Sequence, residues 1–349
     1  MIKLRGKYIY GVISEAEDDN ALTEIDCPGI HKVTCGDVSA VVEDSEISDY
    51  RNMERKTLTD LLLKHQKVIE SLMGIGYTVI PMKLGTVALD EREVVSILEK
   101  GASLLKDIMG KINGKIEIDI VATWNDFPAV LKMVSEEREI KEFKEKLMSS
   151  SVQITAEDQQ KAGLLVMQAL NRKRDAYSLK IHDALIPACQ DFKIHDAMND
   201  QNVANFAFLI NKCELGLFDA AVEKLDAEFK EELNFKYIGP LPCYSFYTTE
   251  VEKLSFAVLD QARIKLGLGD SATKDEIRSA YKMKASAVHP DKNPGLPGIE
   301  KEFDDTNKSY KMLMDYCAAS DLLSRNAEYS FLEKDVSKNS ILVKLKECL

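Results

Sequence analysis

A chain of 349 residues is long enough for two or three domains, each with its own core. Hydrophobic residues make up 45% and charged residues 30%, ordinary proportions for a soluble globular protein. The formal net charge of −12 argues against a nucleic-acid binder, whose phosphate contacts need clustered Lys and Arg, and against docking on an anionic membrane; it suits protein partners.

In chain order, "KYIYGVI" near the start reads as a first strand. Its apolar run is short and acidic residues follow, so it does not read as a signal peptide. "HKVTCG" and "VSAVVED" predict a strand pair with a turn near Gly36 and Asp37. Met53 to Met73 is a long amphipathic helix carrying Leu58, Leu61, Leu62, His65, Val68, Ile69 and Leu72 on one face. "YTVIPMKLGTV" is an apolar strand in which Pro81 implies an edge or a bulge, and "EREVVSILEKGASLLKDIMGKI" is the next helix. From about Lys115 a second unit begins: the strand "KIEIDIVATW", two charged helices at about 127 to 149 and 155 to 188, the strand "NVANFAFLINK", the helix "GLFDAAVEKLDAEFKEE" and the closing strand "NFKYIGPLPCYSF". This order predicts an α+β sandwich of ferredoxin-like character. Trp124 is expected as a core or domain-interface anchor. Residues 248 to 262 read as a helical connector, and the tail after Leu322 as a loosely held amphipathic helix.

Between connector and tail lies a helical hairpin. Thr273 followed by Glu276 is a capping box, so a helix starts near Lys274. Ile277, Ala280, Tyr281, Ala285 and Val288 form its apolar stripe, and Pro290 ends it at His289. Ile299, Phe303, Tyr310 and Leu313 give the return helix its stripe, with Tyr281 and Phe303 expected as the central pair of a small core. The tripeptide His289-Pro290-Asp291 is left at the tip, where Asp291 can accept charge-assisted bonds from an arginine of another protein.

Residues 258 to 318, with "HPDKNP" between two helices and the F-x6-Y spacing of Phe303 and Tyr310, resemble the J domain of the DnaJ family. The resemblance implies an all-helical J domain that binds a DnaK-type heat-shock chaperone and stimulates its ATPase. Asp291 would engage the chaperone, His289 and Pro290 would set the loop, and Arg278 and Lys282 would steer docking. Met283 and Ala287 stand at positions that are usually basic in that family. Lys284 stands where Leu is usual, so either the core loses an apolar residue or the lysine snorkels to water. Two readings therefore stand: a recruiting J domain, or a J fold kept as an interaction module or spacer.

A second resemblance rests on "YIYGVI", "TVIPMKLGTV", "KIEIDIVATWN", "NVANFAFLI" and "GPLPCYSF", which occur in this order. Over about residues 5 to 247 the chain is similar to the gas vesicle protein F/L family, with Leu84 where an aromatic is commoner and Cys243 where Pro is commoner. The resemblance implies an N-terminal α/β domain (1–112) and a ferredoxin-like α+β domain (113–247). The helical connector and J-like domain (248–320) and the tail (321–349) follow. It also implies an accessory role in gas vesicle formation with gas vesicle protein A, the small and very hydrophobic shell subunit, as partner. A soluble acidic protein that holds an aggregation-prone client beside a chaperone recruiter fits that role. The alternatives are a minor structural component of the shell, and a general DnaK cochaperone. Gly239, Pro240 and Pro242 read as a rigid bend, with Tyr244 and Phe246 alternating to opposite faces; a client-binding edge at Tyr244 and Phe246 is the sharper alternative.

Nothing in the chain points to catalysis. "GKINGKIE" lacks the spacing and the Ser or Thr of a phosphate loop, and no G-x-S-x-G or H-E-x-x-H occurs. The five histidines are dispersed, and His65 on its helix face reads as a satisfied, partly buried residue. The seven cysteines are odd in number and form no C-x-x-C, which suits free thiols in a reducing cytoplasm. Cys27, His31 and Cys35 lie four residues apart around a turn with no fourth ligand nearby, so neither a metal nor another cofactor is expected. No apolar run approaches the roughly 18 residues of a membrane-spanning helix.

Overall fold

The computed structural model describes residues 5–14, 25, 27–46, 53–149, 155–321, 327–339 and 341–346. Two compact units emerge: residues 1–113 together with 247–349, and residues 114–246.

The first unit opens with β1 (Arg5–Ser14), β2 (Ile30–Cys35), β3 (Val38–Glu46), α1 (Arg55–Gly74), β4 (Val79–Pro81), β5 (Val87–Ala88) and α2 (Glu91–Ile112). The strands form an antiparallel sheet in the order β2-β3-β1-β4, with β5 also on β1. Tyr8 to Ile13 of β1 are buried on both faces, which is why "YIYGVI" runs apolar instead of alternating. Gly11 is required here: a Cβ would sit 2.9 Å from Val79 Cγ1 and 3.0 Å from the Ile80 carbonyl oxygen. The single strand expected around Pro81 is two short ones. Pro81 has no N–H to continue the ladder, and a turn closed by Thr86 N–H on the Lys83 carbonyl brings β5 back to β1. Asp90 caps α2, accepting from the Glu93 N–H at 2.9 Å.

The second unit contains β6 (Lys115–Trp124), α3 (Phe127–Ser135), α4 (Arg138–Ser149), α5 (Ala156–Leu185), β7 (Asp191–Ile194), β8 (Asn202–Asn211), α6 (Leu215–Phe229), β9 (Leu233–Leu241) and the short α7 (Tyr244–Tyr247). Its sheet is antiparallel in the order β7-β8-β6-β9, the ferredoxin-like arrangement of two split β-α-β halves. The reading from sequence lacked β7, whose four residues leave no buried stripe. Phe206, Phe208 and Phe218 meet in the core with ring centroids 5.8 and 5.2 Å apart, the first pair edge-on and the second tilted. Trp124 is buried and meets the Tyr177 ring edge-on at 5.1 Å, as a core anchor. The closing strand stops at Leu241. Beyond it Tyr244 to Tyr247 form a helical turn, so the predicted alternation of Tyr244 and Phe246 does not occur.

Returning to the first unit, the chain forms β10 (Thr249–Lys253), α8 (Phe256–Leu266), β11 (Ser271–Ala272), α9 (Lys274–Ala287) and α10 (Ile299–Asp321). It closes with β12 (Tyr329–Ser330), α11 (Glu333–Asn339) and β13 (Ile341–Leu345). Two expectations are corrected. The connector begins as a strand, and the described part of the tail is mostly not an amphipathic helix. β12 pairs with β11, and "ILVKL" pairs along its whole length with β10, from Thr249 opposite Leu345 to Lys253 opposite Ile341. A β-branched, apolar segment takes the strand form once an open edge is offered to it. The helical core is also displaced from the expected Tyr281–Phe303 pair. It is built from Leu259 and Leu266 of α8, Ile277 of α9, Leu313, Tyr316 and Cys317 of α10, and Tyr329 and Phe331 of the tail. The tail segment and α8 cover the far end of α10, leaving Tyr281 and Phe303 half-buried near the loop.

Candidate functional site

The loop between α9 and α10 is built by local hydrogen bonding. Thr273 and Glu276 form the capping box at the start of α9, and the helix closes at Val288. His289 leaves the helix in an extended conformation, as Pro290 demands. Its Nδ1 accepts from the Asp291 N–H at 3.1 Å, and its ring meets Phe303 edge-on at 5.1 Å. Asn293 ties the loop to the helix end, its amide donating to the carbonyls of Ala287 (2.8 Å) and His289 (3.0 Å). Lys292 reaches Ser286 Oγ at 2.5 Å. The Asp291 side chain projects from this fixed turn with 90% of its surface exposed. The turn is braced by its own hydrogen bonds, and its one exposed carboxylate, 3.8 Å from the His289 ring, can accept from a partner.

On α9, the helix that leads into the loop, Arg278 and Lys282 are exposed. Arg278 also pairs with Asp275 at 3.0 Å, an exposed bridge that weakly competes with an external anion. Lys284 snorkels: its ammonium lies 3.5 Å from Glu302 of α10. Met283 is 75% exposed, and Ala287 is exposed too, so two apolar residues one helical turn apart face out on α9. Tyr281 stacks on Tyr310 at 4.2 Å and donates to Asn307, bracing the two helices just behind the tip. The five residues expected to act together, Arg278, Lys282, His289, Pro290 and Asp291, thus lie along one helix and the loop that ends it.

Tyr244 and Phe246 fare differently. Phe246 is 7% exposed and offers little surface to a client, and Lys193 lies over its ring at 5.6 Å. The segment is held by a polar group whose members are far apart in sequence. Glu117 of β6, 1% exposed, accepts from the Ser245 N–H at 2.8 Å and from Ser245 Oγ at 2.7 Å. His195 Nε2 lies 3.1 Å from the same Ser245 oxygen. Burial pushes the Glu117 carboxyl up to about 8 and raises that of Asp119 as well. The Ser245 hydroxyl is thus held between the Glu117 carboxyl and the His195 ring. The available signal is two acids alternating through the strand "KIEIDIVATW"; their burial depends on a covering turn that comes from far along the chain.

His65 is a satisfied core residue. Tyr8 OH donates to its Nδ1 at 2.8 Å, its Nε2 donates to the Met82 carbonyl at 3.1 Å, and burial lowers its pKa to about 4. His31 packs instead against Lys7, Glu91 and the Gly29 carbonyl. Among the described residues no cluster of three or more His, Cys, Asp or Glu is placed to hold a metal ion, and no helix is long and apolar enough to cross a membrane. A groove of about 840 Å³ runs along α2 opposite the β2–β3 turn, walled by Val38, Leu98, Ala102 and Met109 with Glu99 and Lys106 among its charged lining.

Comparison with known proteins divides the chain in two. Residues 6–248 match the family described as gas vesicle synthesis protein GvpL/GvpF, and residues 265–318 match the DnaJ domain. Gas vesicle protein F of a Nostoc species is 22% identical over 244 residues, covering 69% of this chain and 97% of that protein. The crystal structure of GvpF from an Anabaena species superposes with a TM-score of 0.60 at 22% identity, covering 70% of this chain and 98% of the other. The chaperone protein DnaJ of Prosthecochloris aestuarii is 50% identical over 48 residues, which is 14% of this chain and 12% of that protein.

Proposed function

Since the chain belongs to the gas vesicle synthesis protein GvpL/GvpF family and carries a DnaJ domain, we propose that it is an accessory factor of gas vesicle formation that holds the hydrophobic shell subunit and recruits a DnaK-type chaperone to it. The observation that carries this reading is the tip of the hairpin. Asp291 is 90% exposed on a turn braced by its own hydrogen bonds, in a chain whose remaining bulk is of gas vesicle type. Asp291 is the acceptor for a chaperone arginine, His289 and Pro290 hold the turn, and Arg278 and Lys282 favour an acidic docking surface. No catalytic role is assigned to the chain, and its place of action is the cytoplasm and the nascent vesicle.

The exposed Met283 favours a second reading, in which the J fold is retained without recruiting and the protein is a minor component of the shell. Co-expression of the shell subunit with wild-type chain or with Asp291→Asn separates the two. Recruitment predicts that the shell subunit stays soluble only with the wild type. Equal protection by both chains leaves holding without recruitment, and stoichiometric retention on washed vesicles then supports the structural role. Stimulation of DnaK on unrelated clients, without protection of the shell subunit, would make the protein a general cochaperone.

A further inference from the structure

The last strand ties together two parts of the first unit that the chain separates widely. β10 and β13 form a two-stranded sheet of their own, and β10 meets the chain just past β4. Met82 and Thr249 form a parallel bridge, the Lys83 N–H donates to the Thr249 carbonyl at 2.7 Å, and Thr249 Oγ1 donates to the Pro81 carbonyl at 3.2 Å. Ion pairs reinforce the join, Lys83 with Glu250 at 2.6 Å and Lys253 with Glu93 at 2.8 Å. β13 pairs with β10 over five residue pairs, and the Lys346 N–H closes its end on the Thr248 carbonyl at 2.8 Å. Lys344 bridges to Glu252 at 2.6 Å and Glu250 at 3.5 Å.

α2 is shaped to receive this strand. Gly101 stands where Val343 packs, and a Cβ there would lie 3.1 Å from Val343 Cγ1 and 3.2 Å from Val343 Cβ. Just upstream of β13, Tyr329, Phe331 and Val336 belong to the core of the α8–α10 helices. The tail is therefore anchored at one end in the helical module and at the other in the N-terminal sheet. Between β10 and α8 lie only Leu254 and Ser255. One short hinge leaves a module free to swing; a second attachment removes that rotation.

We infer that the C-terminal tail is a clasp, in which β13 fixes the α8–α10 module to the N-terminal sheet and so holds the Asp291 tip in one position relative to that sheet. A fixed mount differs from a tether: it sacrifices reach and presents a bound chaperone from a single direction. The functional half of this inference rests on the recruitment reading above, whereas the structural half does not.

The test uses full-length chain carrying Val343→Asp, Gly101→Val, or Gly101→Val with Val343→Ala. Amide exchange in β10 and β13 is expected to accelerate by about tenfold or more in the two single variants, while α9 and α10 stay protected. The double variant should recover part of the protection, because the added methyls meet removed ones. Stimulation of the DnaK ATPase should stay within about twofold of wild type, since the loop is untouched, and the soluble fraction of co-expressed shell subunit should fall to the Asp291→Asn level. Unchanged exchange in β10 overturns the clasp. Accelerated exchange with full client protection, where Asp291→Asn abolishes that protection, overturns the need for a fixed mount. If Asp291→Asn itself leaves the client soluble, the recruitment reading fails, and the clasp stands or falls on the exchange result alone.

Discussion

Acid should weaken the first unit through one residue. His65 is neutral in the fold, bonded to Tyr8 and Met82, and its pKa is lowered by burial from 6.5 to about 4. In the unfolded chain the imidazole titrates near its ordinary value, so between those limits the unfolded state binds the extra proton and stability falls with pH. From pH 7 to pH 4.5 the linkage amounts to about 2 kcal/mol lost from the first unit, nearly all of it below pH 6.5. Carboxylates titrate over the lower part of the same range, so the informative quantity is the difference from His65→Gln, which can keep both hydrogen bonds without titrating. Urea midpoints read from amide exchange in β1 and β3 measure it. If wild type and His65→Gln lose the same stability between pH 7 and 4.5, the buried neutral histidine is not the origin and the reasoning fails.

The second unit should respond in the opposite sense. The raised pKa of Glu117 makes its contribution greatest below the ordinary carboxyl range and lost as pH rises through about 8, so stability should decline from pH 6 to 9 in wild type and stay flat in Glu117→Gln, by the same exchange assay. Gly239→Ala should cost that unit about 2 kcal/mol or more, because φ is +149° and the new Cβ would lie 2.6 Å from Ile118 Cδ1; a urea midpoint equal to wild type would contradict this. Thr273→Ala should cost about 1 kcal/mol through the lost N-cap of α9, visible as faster exchange in its first turns. Asp291→Asn should change stability by less than about 0.5 kcal/mol, given its exposure, while abolishing stimulation of the chaperone ATPase.

Much of the local architecture is legible without coordinates. The capping box at Thr273, the stop at Pro290, the strand from Lys115 to Trp124 and the hairpin turning at Gly36 all occur where the residues place them. Each signal acts within a few residues: a side chain satisfying a backbone donor three positions on, a ring without an N–H, or a period of two. The candidate docking residues were placed together for the same reason, since Arg278 to Asp291 occupy one helix and the loop that ends it. What the residues could not specify alone involved distant partners. "ILVKL" carries no helix-breaking residue, and its strand form depends on the open edge of β10 and on the gap left by Gly101. "CYSF" continues an apolar strand by pattern, yet Glu117 captures the Ser245 N–H and turns the segment into a helical turn that buries Phe246. The core settles on Leu313, Tyr316 and Cys317 instead of Tyr281 and Phe303 because α8 and the tail cover that end of α10. Sequence by itself determined the short-range geometry and the chemistry of the exposed tip. Tertiary structure decided which apolar and acidic residues are covered, because burial depends on surfaces that arrive from elsewhere in the chain.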